Sequence, residues 1–562
     1  MIRDKTASAS IVLRYDLYSL PTAQHKAGLA GLVLMIESMK ARHLAPLPKI
    51  RNRSPAGAEI EFTPDNLQAV FDDLFDASWA EVESRYKWPG KTPKRIEAKS
   101  SSDGKKGEDK RYIYDAVRPE GRFLQTYYPD GDGIWVKLWR DMLWSTLRGR
   151  PTTRGVYEER ADRKPTSESA NVWRLLARAS AARAKGRALV EGIASSLLVG
   201  AQDVNAERVP FQGEPQDNLL LHFWPVASQV YAPRRFTIKG ELEDAGYVLV
   251  IPEPSDLDTF VREAADLLRS LDTTVSGYRP RDALIDVPAE GGLEYLYHLT
   301  RQRIKQLAVA PCLAAVEIYH LEKRGNDIRT LAAERVLPDQ RILRGYDALR
   351  GQCRNPIIKS VRIRNLLAGR PWYEGMASVF GQYPWAFFVA HTEKTPRRIP
   401  FFGDDVRRKL NAIEAELQTR KGDHPMNDEE RDDLLAQRVY RLIQNYVHRK
   451  TESKSGMKYD DFKDHKDEKG RIQYPQGYRE AQEKVCGDAF LAMRGRRDTD
   501  FVEYFAGTIC SVPQWLPEED YLAVSQALLA DSEKVKTLSM LALSACSYLG
   551  KANATQKEGD DA

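Results

Sequence analysis

The stretch SLPTAQHKAGLAGLVLMIESM, Ser19–Met39, holds a proline, a Gln-His-Lys cluster and then ten uncharged residues from Ala27 to Ile36. It reads as a targeting segment, a catalytic motif or a core helix with a polar end. Length removes the first option, because a membrane-spanning helix needs about 20 largely apolar residues. The preceding SIVLRYDLYSL, Ser10–Leu20, reads as a strand, where a signal peptide would carry a short basic start. Leu29, Leu32, Val33, Ile36 and Met39 recur at helical spacing and form one apolar face. Ser19 and Thr22 are candidate N-caps, and Pro21 suits the first turn. Gly28 and Gly31 each lower helix propensity by about 1 kcal/mol, which points to close approach by another backbone. The stretch predicts a packed first helix. Gln24, His25 and Lys26 occupy its first two turns, and because helix N-termini attract anions they are candidate phosphate contacts.

At about 100–200 residues per domain, a chain of 562 residues predicts roughly three structural units. With 42% hydrophobic and 29% charged residues, global disorder is excluded on composition. A net charge of only +5 announces no uniformly basic surface, so the distribution of charge has to carry the reading. Cys312, Cys353, Cys486, Cys510 and Cys546 are scattered with no CxxC pair. That spacing excludes a zinc ribbon and argues against a disulfide framework. The expected setting is the cytoplasm, with no membrane association.

Residues 91–111, KTPKRIEAKSSSDGKKGEDKR, carry eight Lys/Arg, four Asp/Glu and almost nothing apolar. They predict a mobile basic insert. Residues 148–187 hold eleven Lys/Arg against four Asp/Glu, and NVWRLLARASAARAKGRALVEGIASSLL within and beyond them has helical character. Between 218 and 271, NLLLHFWPVASQVY and GYVLVIPEP read as strands. SDLDTFVREAADLLRSL reads as a helix capped by Ser255 or Asp256. This order predicts a small α+β unit of ferredoxin-like type. Residues 291–350 look mostly helical. Helical patterns dominate from 404 to the end, broken by the charged stretch His448–Arg471.

No catalytic motif of the HExxH, GxSxG or phosphate-loop kind is present, and no two histidines stand at metal-ligand spacing. No cofactor or metal is expected. PDGDG, Pro129–Gly133, lacks the downstream glutamate of a calcium loop and predicts a turn. In FFGDDV, Phe401–Val406, the paired carboxylates of Asp404 and Asp405 resemble those that hold two magnesium ions in polymerase palms. The helical VRRKLNAIEAELQTR that follows makes them more simply its cap and first turn.

Binding features are richer. Residues 350–373 carry six Lys/Arg, among them Arg362 and Arg364, with no acid, and end in Trp372-Tyr373. KTPRRIPFF adds Arg397 and Arg398, APRRFTIKG adds Arg234 and Arg235, and the 91–111 insert adds Lys105, Lys106, Lys110 and Arg111. Arginine beside aromatics is the composition used for backbone phosphates and stacked bases. These residues, with Gln24, His25 and Lys26, are the candidate nucleic-acid contacts.

SLPTAQHKAGLAGLVLMIESM after an N-terminal strand, with GYVLVIPEPSDLDTF in mid-chain, resembles the large subunit of type I CRISPR effector complexes (Cascade). The similarity is to the MYXAN-subtype branch, related to the type I-B large subunits. The resemblance implies a non-enzymatic subunit that sits near the 5′ end of the guide RNA. It also implies reading of the short protospacer-adjacent motif (PAM) in target double-stranded DNA, support of R-loop formation, and docking of a separate helicase–nuclease. The implied partners are guide RNA, target DNA and the backbone, guide-end and small subunits of the complex. Competing readings are a metal-dependent nucleic-acid enzyme using Asp404 and Asp405, and a general single-strand-binding scaffold.

The expected architecture is α+β. A mixed region spans 1–215, a second mixed region with the ferredoxin-like unit spans 216–403, and a helical bundle spans 404–562. Relatives of the resembled family encode a small subunit by internal initiation. Here Lys421-Gly422-Asp423 is encoded AAR-GGN-GAY, which can spell a purine-rich ribosome-binding sequence. Met426 follows two codons later, and Asn427 or Asp428 is placed to cap the next helix. A product spanning 426–562 is thereby expected, the alternative being that Met426 merely opens a loop.

Overall fold

The computed structural model describes residues 10–547 and Leu549, apart from 89, 100–108, 148–152, 195–196, 200–210, 305–311, 325–326, 390–398, 420–424, 467–471, 513–515 and 548. The chain forms two compact units. Met1–Arg234 and Asp244–Leu343 make the first; Arg235–Glu243 and Arg344–Ala562 make the second. The main division therefore falls after Leu343, not at the expected 215/216 or 403/404.

The first unit opens with strand β1 (Ile11–Asp16) and helix α1 (Ala23–Ala41). Strands β2 (Lys49–Ser54) and β3 (Gly57–Phe62) follow, and β3 pairs antiparallel with both others. Thr22 caps α1 by accepting from the His25 N–H, which satisfies one orphan donor of the first turn. One apolar face was expected on α1. The helix is instead enclosed on nearly every side, with Gln24, His25, Ala30, Leu34 and Ser38 buried alongside the predicted stripe. It is the central helix of the unit. A Cβ on Gly28 would stand 2.1 Å from the Leu220 carbonyl oxygen, and one on Gly31 2.0 Å from that of Phe223. The two glycines are the close-approach points their presence predicted.

Strands β4 (Ala77–Ser84), β5 (Arg95–Lys99) and β6 (Asp109–Pro119) form a second antiparallel sheet with β6 in the middle. The loop expected over all of 91–111 is thus narrower, since 95–99 and 109–111 are paired strand. Asp130 accepts the Ile134 N–H at the start of α3 (Ile134–Met142), so PDGDG is the predicted turn; α2 (Pro64–Leu74) lies earlier in the chain. Helices α4 (Gly155–Ala161) and α5 (Ser167–Arg183) follow.

NLLLHFWPVASQVY is strand only from Gln229. Its first part forms two short helices, α6 (Pro215–Leu220) and α7 (Trp224–Ala227). A continuous apolar run carries no period that separates a strand from a buried helix, and here the residues pack on α1. The larger sheet contains β7 (Gln229–Phe236), β8 (Leu242–Asp244) and β9 (Tyr247–Pro254). Helix α8 (Leu257–Arg269) follows, capped by Asp256. β10 (Leu284–Ile285) runs parallel to β7, and α9 (Pro288–Ile304) leads to β11 (Leu313–Arg324) and β12 (Asp327–Val336). The strand order is β8-β7-β9-β11-β12. The β11–β12 hairpin corrects the mostly helical expectation for 291–350. Its Ala, Leu and Glu favour helix intrinsically, but alternate burial against the sheet overrides that preference.

The second unit is helical. After α10 (Gln340–Gln352) come α11 (Pro356–Ala368), α12 (Phe402–Thr419), α13 (Asp428–Ser455), α14 (Gln476–Gly495), α15 (Glu518–Ala530) and α16 (Ser532–Cys546). Every residue of α16 from Val535 onward is buried, which makes it the axis of the bundle. Asn427 caps α13 in a reciprocal capping box with Glu430. No helix among the described residues is long and apolar enough to cross a membrane.

Candidate nucleic-acid interface

The polar cluster at the start of α1 faces inward. Gln24 Nε2 donates to the Val199 carbonyl at 2.9 Å, and its Oε1 accepts the Val199 N–H at 2.8 Å. His25 Nδ1 lies 2.8 Å from Thr22 Oγ1, and burial lowers the imidazole from 6.5 to about 4. It is neutral at physiological pH. Lys26 Nζ is 2.9 Å from Glu253 on β9, which also holds Arg335 of β12 at 2.6 Å. Burial alone would raise the Glu253 carboxyl, but the bonds to Lys26 and Arg335 leave it below its ordinary value. Where a phosphate contact was expected, these three side chains tie α1 to its neighbours.

Four of the six other predicted cations among the described residues are engaged as well. Arg234 pairs with buried Asp286 at 2.9 Å, and its strand neighbour Arg235, pointing to the opposite face, pairs with Glu243 at 3.0 Å. Arg111 lies 3.3 Å from Glu83. Arg362 is buried on α11 and donates to Cys353 Sγ at 3.0 Å. Lys110 on β6 and Arg364 on α11 are exposed. Lys105, Lys106, Arg397 and Arg398 lie outside the described residues.

Asp404 and Asp405 sit in the first turn of α12, as expected. Asp405 is fully buried and accepts the N–H groups of Arg354 at 2.7 Å and Asn355 at 2.6 Å, with Arg408 against its second oxygen. Burial keeps the carboxyl above its usual range despite those donors. The side chain anchors the entry to α11.

A cleft of about 870 Å³ opens in the first unit between β4, β6 and α3. Six cations line it, Lys91, Arg118, Lys137, Arg140, Arg154 and Lys323, against only Asp132 and Asp141. Asp132 is engaged by Arg118 at 2.8 Å and Arg140 at 2.7 Å. Burial raises the Asp141 carboxyl against the opposing pull of Lys137, Arg279 and Arg140. Two indoles supply the walls. Trp88 stacks on Tyr114 with centroids 4.3 Å apart and planes 4° apart, and Lys91 Nζ stands 5.7 Å from the Trp88 ring centre. The Arg154 guanidinium lies 4.7 Å over Trp144. Burial and the facing charge of Arg154 both depress Lys323. Lys137 acts on Asp141 one turn further along the chain, and Lys323 is exposed beside the like charge of Arg154. A cleft that is basic, flat-walled and under-neutralised suits phosphate with an exposed base.

The sequence reading missed this cleft. Its residues come from segments between Ala80 and Lys323. One trace was visible in WVKLWRDMLW, Trp135–Trp144. Lys137, Arg140, Asp141 and Trp144 fall three or four apart there and share one face of an otherwise apolar helix.

Residues 47–308 match the family described as the type I-B CRISPR Cas8b N-terminal domain, and residues 313–546 match the type I-B CRISPR Cas8b C-terminal domain. No curated protein matches the chain. GYVLVIPEPSDLDTF lies inside the first match, whereas Ser19–Met39 precedes it. All cleft residues except Lys323 fall in the first match.

Proposed function

The chain belongs to the type I-B CRISPR Cas8b family, the large subunit of a CRISPR effector complex that includes other Cas subunits, and from that premise we propose that it works as a non-catalytic reader and opener of target DNA. In this reading it acts in the cytoplasm on a complex carrying guide RNA. It recognises the PAM in duplex DNA, supports R-loop formation and docks a helicase–nuclease supplied in trans. Base pairing then reads the target sequence, while the protein reads a few base pairs and holds strands by their backbone. The observation that carries the proposal is the under-neutralised basic cleft in the first unit, together with an Asp405 carboxylate occupied by Arg354, Asn355 and Arg408.

The test is target binding by the reconstituted complex, with each base pair flanking the target permuted in turn. Binding is expected to depend on a short flanking motif and to lose that dependence when this chain is omitted. Equal binding with and without the chain overturns the reading. So does a metal-dependent turnover abolished by Asp404→Ala in a folded chain. Alanine at Lys105, Lys106 and Lys110 together is expected to lower duplex binding and leave assembly intact. Arg364, Arg397 and Arg398 are proposed as weaker contributors.

A second product from the same reading frame is also proposed, favoured by the capping box that follows Met426 at once. It spans 137 of the 562 residues of a 63.8 kDa chain and so has a mass of about 15 kDa. Met426→Leu is expected to remove that band from the purified complex. A wild-type complex without the band overturns the proposal.

A further inference from the structure

We propose that the cleft between β4, β6 and α3 binds one unpaired nucleotide, its base stacked on Trp88 and its phosphate held by Lys323 and Arg154; this rests on the nucleic-acid reading above. Trp88 is a built platform. Tyr114 covers one face of the indole, and the Tyr114 hydroxyl accepts the Trp88 backbone N–H at 2.8 Å. The ring is thereby fixed before any ligand arrives, with Lys91 near enough to be displaced by a base. Base–aromatic stacking tolerates any base, since each has a π-face.

The anion site follows from charge. Lys323 and Arg154 face one another closely enough to repel, and Asp132 is already shared by Arg118 and Arg140. A phosphate relieves that repulsion, whereas a metal cation adds to it. The volume of about 870 Å³ lies in the roughly 300–1,000 Å³ range of small-ligand sites. A base inside a duplex has both faces covered by its stacked neighbours, so the duplex interior does not fit the platform. An acidic peptide satisfies the cations and leaves the fixed indole without a role.

An unpaired nucleotide comes from the guide RNA or from the opened target, and the experiment separates the two. Complexes are reconstituted with the full chain and with 5-iodouracil placed at single positions, in the guide RNA in one arm and in either target strand in the other. Irradiation is followed by mapping of the crosslinked peptide. A crosslink to Trp88 is expected in one arm only, and that arm names the source. In the same arm Trp88→Leu is expected to weaken binding about 5- to 150-fold, the range for losing one stacked base. Trp79→Leu, on the exposed part of β4 outside the cleft, is expected to leave it unchanged. If Trp88→Leu lowers the unfolding midpoint, the exposed Lys323→Ala replaces it in the same measurement. A complex that assembles on guide RNA and binds target normally, yet shows no crosslink to the cleft and no effect of either variant, overturns this inference and leaves the functional reading standing. Crosslinking of Lys323 to an acidic segment of another subunit overturns it in favour of a protein dock. A wild-type chain that never joins a guide-containing complex overturns both.

Discussion

The start of α1 and the Trp88 cleft both gather polar and basic side chains in the first unit, and they hold them in opposite ways. At α1, Lys26 meets Glu253, Gln24 meets the Val199 backbone, and His25 is kept neutral by burial. In the cleft, cations outnumber acids, and two of those cations press on each other. A count of basic residues does not distinguish the regions. What separates them is whether each charge is already neutralised inside the fold, because a neutralised charge has little left to offer a phosphate.

The difference can be broken most forcefully at the helix itself. Gly28→Val drives a branched side chain into the Leu220 carbonyl. It is expected to destabilise the chain by about 3 kcal/mol or more, read from the denaturant midpoint; a neutral result refutes the close approach. Next, Lys26→Glu places a second carboxylate beside Glu253, and a loss of about 3 kcal/mol is expected. Pairing it with Glu253→Lys should restore part of that loss. The slope of log affinity against log salt on nucleic acid should stay unchanged, because the Lys26 charge is already paired with Glu253. A slope reduced by about 0.7–0.9 instead makes the α1 start an interface after all.

His25 gives a smaller, pH-dependent effect. Its folded pKa lies near 4, below the 6.5 of the unfolded chain, so between those values only the unfolded state takes the proton. Stability is lost as pH falls through that window, by about 2 kcal/mol between pH 7 and pH 5. Asp217, raised by burial to about 6, acts in the opposite direction between pH 6 and 4. The informative quantity is therefore the difference between wild type and His25→Gln, and identical pH profiles would refute the buried neutral imidazole. The smallest effect on folding belongs to the cleft. Lys137→Ala is expected to change stability by no more than about 0.5 kcal/mol while lowering the salt slope by about 0.7–0.9, the reverse of Lys26→Glu.

Much of the first unit was legible because its local signals agreed. Thr22, the glycine pair and the apolar spacing all announced α1, and GYVLVIPEP with the Asp256 cap announced β9 and α8. The β11–β12 hairpin was hidden because residues such as Ala314, Ala315, Leu321 and Glu322 suit a helix until a sheet is beside them. Arg362 and Lys26 looked like surface cations because sequence does not show that Cys353 and Glu253 await them. The cleft was hidden for a related reason: Trp88, Lys137, Arg154 and Lys323 become neighbours only through the fold.

The seating of α1 against Leu220 and Phe223 sets a clock for synthesis. The helix leaves the ribosome roughly 190 residues before the carbonyls its glycines must meet, which at about 5–20 residues per second is a wait of about 10–40 s. Throughout that interval Leu29, Leu32, Val33 and Ile36 have no lasting cover from α6 and α7. A ribosome halted before codon 215 therefore carries a nascent chain whose first helix is open to proteases and chaperones, and one halted well past codon 227 carries a chain that can close over it.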